Sequence, residues 1–140
     1  MTDVFALEAA SERELGCWHA VVEAYGALET LLEADDADPA ALGAARERTE
    51  VAVAALRAAR ETLGPVRLAG HPVPEPVATL WRAAANAAVT ATDAHARCLA
   101  RARARQEATA ARLAGLTANR RGLTGYRPLA VRAPLTTQVA

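Results

Sequence analysis

Four side chains in this chain have the chemistry of zinc ligands: Cys17, His19, His95 and Cys98. His95 and Cys98 are three apart, so a helix would place them on one face. Cys17 and His19 would meet them only if two helices carried the pairs at one height. The spacing argues against that set. Residues two apart on a helix diverge by about 200°, so Cys17 and His19 cannot both face one ion. A small apolar cysteine and a half-buried histidine in a helical core account for the same residues. Neither a metal nor any other cofactor is expected. Catalysis has as little to build on. The one serine, Ser11, lies in a helical context, and there is no glycine-rich phosphate loop, HExxH or nucleophile elbow. The glutamates decorate helix faces. The chain reads as a non-enzyme.

Arginine is the other chemistry-bearing residue. All sixteen cations are arginine. Arg97, Arg101, Arg105 and Arg112 fall on one helical stripe, with Arg103 beside it and Arg120 and Arg121 beyond. A basic track is what phosphate contact needs. However, the stripe lacks aromatic side chains for base stacking and the net charge is zero, so nucleic acid is the second reading and not the first. Residues 1–75 hold fourteen acids against six arginines, a net −8, and residues 76–140 two acids against ten arginines, a net +8. Either a basic arm serves an acidic partner, or an acidic first helix lies beside a basic last one. Internal pairing is favoured, because a free arm would leave the acidic half without a counterpart.

These residues sit on three helices. The first, over about 3–35, carries the stripe Val4, Leu7, Ser11, Leu15, Trp18, Val22, Tyr25, Leu28 and Leu32 at helical spacing. The second, over about 39–63, opens on Asp38 as cap with Pro39 in the first position. Gly64-Pro65 reads as its stop, and four prolines between 65 and 76 read as a stiff non-helical crossover. The third spans about 76–121. At ~45 residues and about 1.5 Å per residue it would approach 70 Å. The fold class is all-α: a three-helix antiparallel bundle or hairpin with a long C-terminal helix and a flexible tail. Residues 1–128 form one helical domain, with 129–140 a disordered tail.

With 38 alanines of 140 residues, helix propensity is high but each core position buries little. The core should be thin and its five aromatics important. The start is acidic and no apolar run approaches a membrane span, so a cytoplasmic protein without membrane insertion is expected, with two reduced thiols. The third helix should outrun the hairpin by 10–15 residues. Leu113, Leu116 and Leu123 would then form an apolar patch flanked by arginine, the usual mark of a binding site.

The ending Leu116-Thr117-Ala118-Asn119-Arg120-Arg121-Gly122-Leu123-Thr124-Gly125-Tyr126-Arg127-Pro128, on a long last helix after a helical hairpin, resembles the FlgN/FliT-like flagellar export chaperones of bacteria. That resemblance implies a cytoplasmic chaperone of type III secretion in flagellum biogenesis. Its partners would be a secreted hook-associated or filament-cap protein, whose helical terminal segment it keeps export-competent, and the export apparatus. Carried onto this chain, Leu113, Leu116 and Leu123 would be apolar anchors, Arg112, Arg120 and Arg121 rim charges, and Tyr126 a docking aromatic. The state awaiting a client would be a monomer or weak homodimer. A self-associating structural bundle is the remaining alternative.

Overall fold

A computed structural model describes the backbone of residues 3–136 and the side chains of residues 3–123. The chain is all-α, with three helices: α1 (Val4–Glu33), α2 (Pro39–Ala69) and α3 (Glu75–Thr136). It divides into two compact units, Met1–Ala102 and Arg103–Ala140.

In the first unit α1 begins where the Asp3 carboxylate accepts a bond from the Phe5 N–H at 3.1 Å. α2 begins as expected, with Asp38 accepting from the Ala40 N–H at 3.2 Å and Pro39 following the cap. Each cap satisfies a donor that the first turn leaves unpaired. α1 and α2 pack antiparallel, Leu7 meeting Leu63 and Val21 meeting Leu56. The opening part of α3 runs parallel to α1. Leu7 meets Val77 and Val21 meets Ala91, and Ser11 is bonded to Trp81, 70 residues later. The core is therefore layered, with one buried residue per helix in each layer. Leu7, Leu63 and Val77 make the first layer; Val21, Leu56 and Ala91 make the second. Full burial of a leucine contributes about 1.5–3 kcal/mol, so the first layer, with two leucines and a valine, is the better anchored.

Two boundaries differ from the sequence expectation. α2 does not stop at Gly64-Pro65. It continues to Ala69, with Pro65 inside it. The helix ends at Gly70, whose φ of +67° is the left-handed conformation glycine adopts without strain, and whose N–H bonds the Arg67 carbonyl. A proline within a helix costs about 3 kcal/mol, because it cannot bond the carbonyl four residues back, here that of Glu61. Pro65 and Glu61 are both exposed, so the missing bond faces water. On the inward side Leu63 is 1% exposed, Val66 packs on the first layer, and Arg67 reaches a buried partner. Those gains carry the helix past the proline, and the non-helical link shrinks to residues 70–74. α3 likewise continues beyond Arg121 to Thr136. An isolated glycine such as Gly122 weakens a helix by about 1 kcal/mol without ending it. Of the expected tail, residues 137–140 lie outside the described residues.

Replacing Pro65 by Ala should restore the bond to Glu61. Stability should rise by about 1–2 kcal/mol, the helical gain being offset in part by a freer unfolded chain. A higher urea midpoint at unchanged far-ultraviolet ellipticity is the expected readout; a lower midpoint would mean that the proline geometry is itself required.

Candidate functional site

Three features of the molecule have the makings of a site: a buried ion pair, an apolar cleft, and an exposed leucine–arginine face.

The ion pair is in the first unit. Ser11, Glu14 and Trp18 follow Leu7 at helical spacing, so Glu14 stands on the inward face of α1 and is 2% exposed. A buried carboxylate must be paired or neutralised. Arg67 answers it with both arms of its guanidinium: Nη1 donates to Oε1 at 3.0 Å and Nη2 donates to Oε2. Arg60 Nε stands 3.8 Å from Oε1. The Arg67 guanidinium lies 4.9 Å from the centre of the Trp81 ring, and that of Arg60 lies 5.8 Å from Trp18, close enough for attraction to the π face. Trp81 Nε1 donates to Ser11 Oγ at 2.9 Å, and Ser11 Oγ donates to the Leu7 carbonyl at 2.8 Å. Every buried side-chain polar atom among the described residues has a partner. This cluster pairs the Glu14 carboxylate at both oxygens and ties α1, α2 and α3 together.

The arginine stripe is partly used inside the same unit. Arg97 Nε donates to Glu29 at 3.0 Å, while Arg101 reaches Glu29 at 3.4 Å and Glu33 at 2.7 Å. The acidic end of α1 thus lies against the basic part of α3, as the internal-pairing expectation had it. The Arg97 hydrogen bond, with the charges of Arg97 and Arg101, holds the Glu29 carboxyl below the ordinary carboxylate range. Glu75 is held down similarly by Arg82. Arg46 and Glu50 form an i,i+4 pair at 3.3 Å. Of the zinc candidates, Cys98 is buried and its thiol donates to the Tyr25 carbonyl at 3.4 Å; burial raises its pKa, and nearby Glu29 adds to the rise. The His95 ring centre lies 5.2 Å from that of Tyr25, the two rings tilted by 44°, and the Tyr25 pKa is raised by burial. Cys17 is half-buried beside the second core layer and His19 is exposed. Among the described residues no three histidine, cysteine or acidic side chains group as metal ligands.

The cleft lies between the three helices near the α1–α2 turn, and it encloses about 580 Å³. Tyr25, Leu28, Leu32, Leu42, Leu99 and Ala102 supply its apolar lining, and Gly43 forms part of its wall. Its cause is residue size. At this level the fully inward positions are Ala24, Ala45, Ala94 and Cys98, too small to fill the space between three helices. The leucines around them stay half-covered, and Leu99 is 44% exposed. From the pattern alone Leu28, Leu32 and Leu42 read as core, and nothing in their own spacing reveals that their neighbours leave them uncovered.

The second unit contains the residues named from the sequence as partner-binding. Leu113, Leu116 and Leu123 are 59%, 63% and 68% exposed, on a helix where positions 113, 116 and 123 fall within about 80° of one another. Arg112, Arg120 and Arg121 are exposed on the same helix. The side chain of Tyr126 lies outside the described residues. No described helix is long and apolar enough to cross a membrane. Compared with protein-family models, curated proteins and solved structures, the chain finds no match.

Arg67→Ala would strand the Glu14 charge. Breaking a buried pair costs about 3–5 kcal/mol, and about 2–3 is expected here because Arg67 is 31% exposed and Arg60 remains. Replacing both partners, Glu14→Leu with Arg67→Met, should come within about 1 kcal/mol of the parent. Urea denaturation of Glu14→Leu, of Arg67→Met and of the double variant measures the coupling. At Glu29 the folded-state pKa is lowered, so its contribution is present above the unfolded pKa of about 4.3 and lost as pH falls through the folded value. The stabilities of the parent and of Glu29→Gln should therefore converge on acidification below about pH 4.

Proposed function

We propose that this chain is a non-enzymatic helical partner-binding protein, and specifically a cytoplasmic flagellar export chaperone. It would hold the helical terminal segment of a secreted hook-associated or filament-cap protein and present it to the export apparatus. The observation that carries the binding role is the exposure of Leu113, Leu116 and Leu123 on one helix face, beside exposed Arg112, Arg120 and Arg121. Three exposed leucines on one face cost solubility, and such patches are retained where something docks. Spacings of three and seven suit a partner helix whose own anchors recur at i, i+3, i+4 and i+7. Arginine at the rim favours a partner with acidic flanks. The flagellar assignment rests on the resemblance of the 116–128 ending.

The nucleic-acid reading is weaker. Arg97 and Arg101 are already committed to Glu29 and Glu33, which shortens the track open to phosphate, and pairing with carboxylates lowers its positive potential.

Leu113→Asp with Leu116→Asp should abolish co-purification of the secreted partner while leaving helicity nearly intact, since both side chains are exposed. Retained binding would move the docking surface elsewhere. A gel shift of single- or double-stranded nucleic acid at low salt should show no retardation; affinity falling steeply with salt would support the rival instead.

A further inference from the structure

The first unit has an open apolar cleft, and the second has leucines that stand exposed. We infer that the chain self-associates by seating the leucine–arginine face of α3, residues 103–123, of one copy in the three-helix cleft of another. Three observations converge on this occupant.

First, charge is sorted between the two units. Residues 1–102 hold fifteen acids against nine arginines, a net −6; residues 103–140 hold one acid against seven arginines, a net +6. Two like units would repel, whereas the second unit of one copy is attracted to the first unit of another. Second, the cleft opens beside that negative charge. Glu50 lines it beside its partner Arg46, half-exposed Glu33 is paired with Arg101, and exposed Asp35 and Asp36 follow in the turn that joins α1 to α2. A helix entering here meets leucine in the cleft and, beside it, the carboxylates of Asp35 and Asp36 next to two ion pairs already made. Third, the segment has the matching pattern, with Leu113, Leu116 and Leu123 exposed on one side and Arg103, Arg112 and Arg121 exposed around them. The lining residues Leu28, Leu32, Leu42 and Leu99 come from all three helices, so the cleft is a groove with walls and can hold a helix by its side chains. Such an interface is head-to-tail.

Sedimentation of the full chain tests this without any client. The expected mass exceeds one chain of 14.6 kDa at tens of micromolar and low salt. The apparent dissociation constant should rise at least tenfold as salt goes from about 0.05 to 0.5 M, because the charged part of the attraction is screened. Gly43→Trp is the decisive variant. A Cβ added at Gly43 meets no atom within 4 Å and Gly43 lines the cleft, so a bulky side chain there starts from open space at the cleft wall. Gly43→Trp should be monomeric at every concentration, as should Leu113→Asp with Leu116→Asp. Gly43→Ala, which adds one methyl, should associate like the parent with the same ellipticity. A parent that stays monomeric up to about 0.5 mM, corresponding to a binding free energy weaker than about −4.5 kcal/mol, overturns the inference. So does association that Gly43→Trp leaves intact, which would mean that the leucine faces pair with each other. Loss of client binding with self-association intact would leave this inference standing on its own, and the converse would leave the chaperone reading standing.

Discussion

The buried carboxylate of Glu14 constrains the first unit more than any other single group. An acid on the inward face of a helix has two outcomes: protonation, or a cation brought to it across the core. Here the cation comes from the end of α2, and its arrival fixes several things at once. Arg67 can present a two-armed fork only if α2 is still helical at residue 67, which requires the helix to run through Pro65. The fork lies against Trp81, which ties α3 to the same spot, and Trp81 donates to Ser11, one turn from Glu14 on α1. Sliding any of the three helices by a turn would leave a charge or an indole N–H buried without a partner. Replacing such pairs by apolar residues is often neutral in stability. The contribution of this one is to alignment: alanine ridges offer little shape to distinguish one register from the next, and a bidentate pair does.

Much of this was legible in the sequence, and what was missed has a common cause. The helical class, the start of α2 at Asp38-Pro39 and the pairing of acidic α1 with basic α3 all follow from local pattern and charge. The stop of α2 did not, because Gly64-Pro65 is a strong local signal and its cost is overridden by contacts far away in sequence, from Leu63, Val66 and Arg67. Glu14 was readable and unread. Positions 7, 11, 14, 18, 21 and 25 form a heptad-like series on α1, and an acid within it asks for a distant arginine. Taking Leu15 as the inward residue hid the question. At the candidate surface, the exposure of Leu113, Leu116 and Leu123 agrees with the expectation. The cleft was invisible for the opposite reason: its leucines carry the pattern of a core, and only the size of the residues facing them decides whether a core forms.

That size effect links composition to function. Alanine gives helices at almost no entropic cost and leaves the space between them to be filled by a few large side chains. Near the chain start, Leu7, Leu63, Val77 and Trp81 fill it. Midway, Val21, Leu56, Trp18 and Tyr25 do. Toward the α1–α2 turn the inward residues shrink to Ala45, Ala94 and Cys98 and the filling stops. An open cleft in a bundle forfeits dispersion contacts that its lining side chains would otherwise make. A sequence that has exposed leucine at 113, 116 and 123, and half-covered leucine around a cleft at 28, 32 and 42, is not arranged for the greatest stability of one isolated chain. Such an arrangement suits the proposed association: an apolar cleft on one copy can take exposed leucines from another, and the sorting of acid and arginine between the same two units makes them complementary in charge.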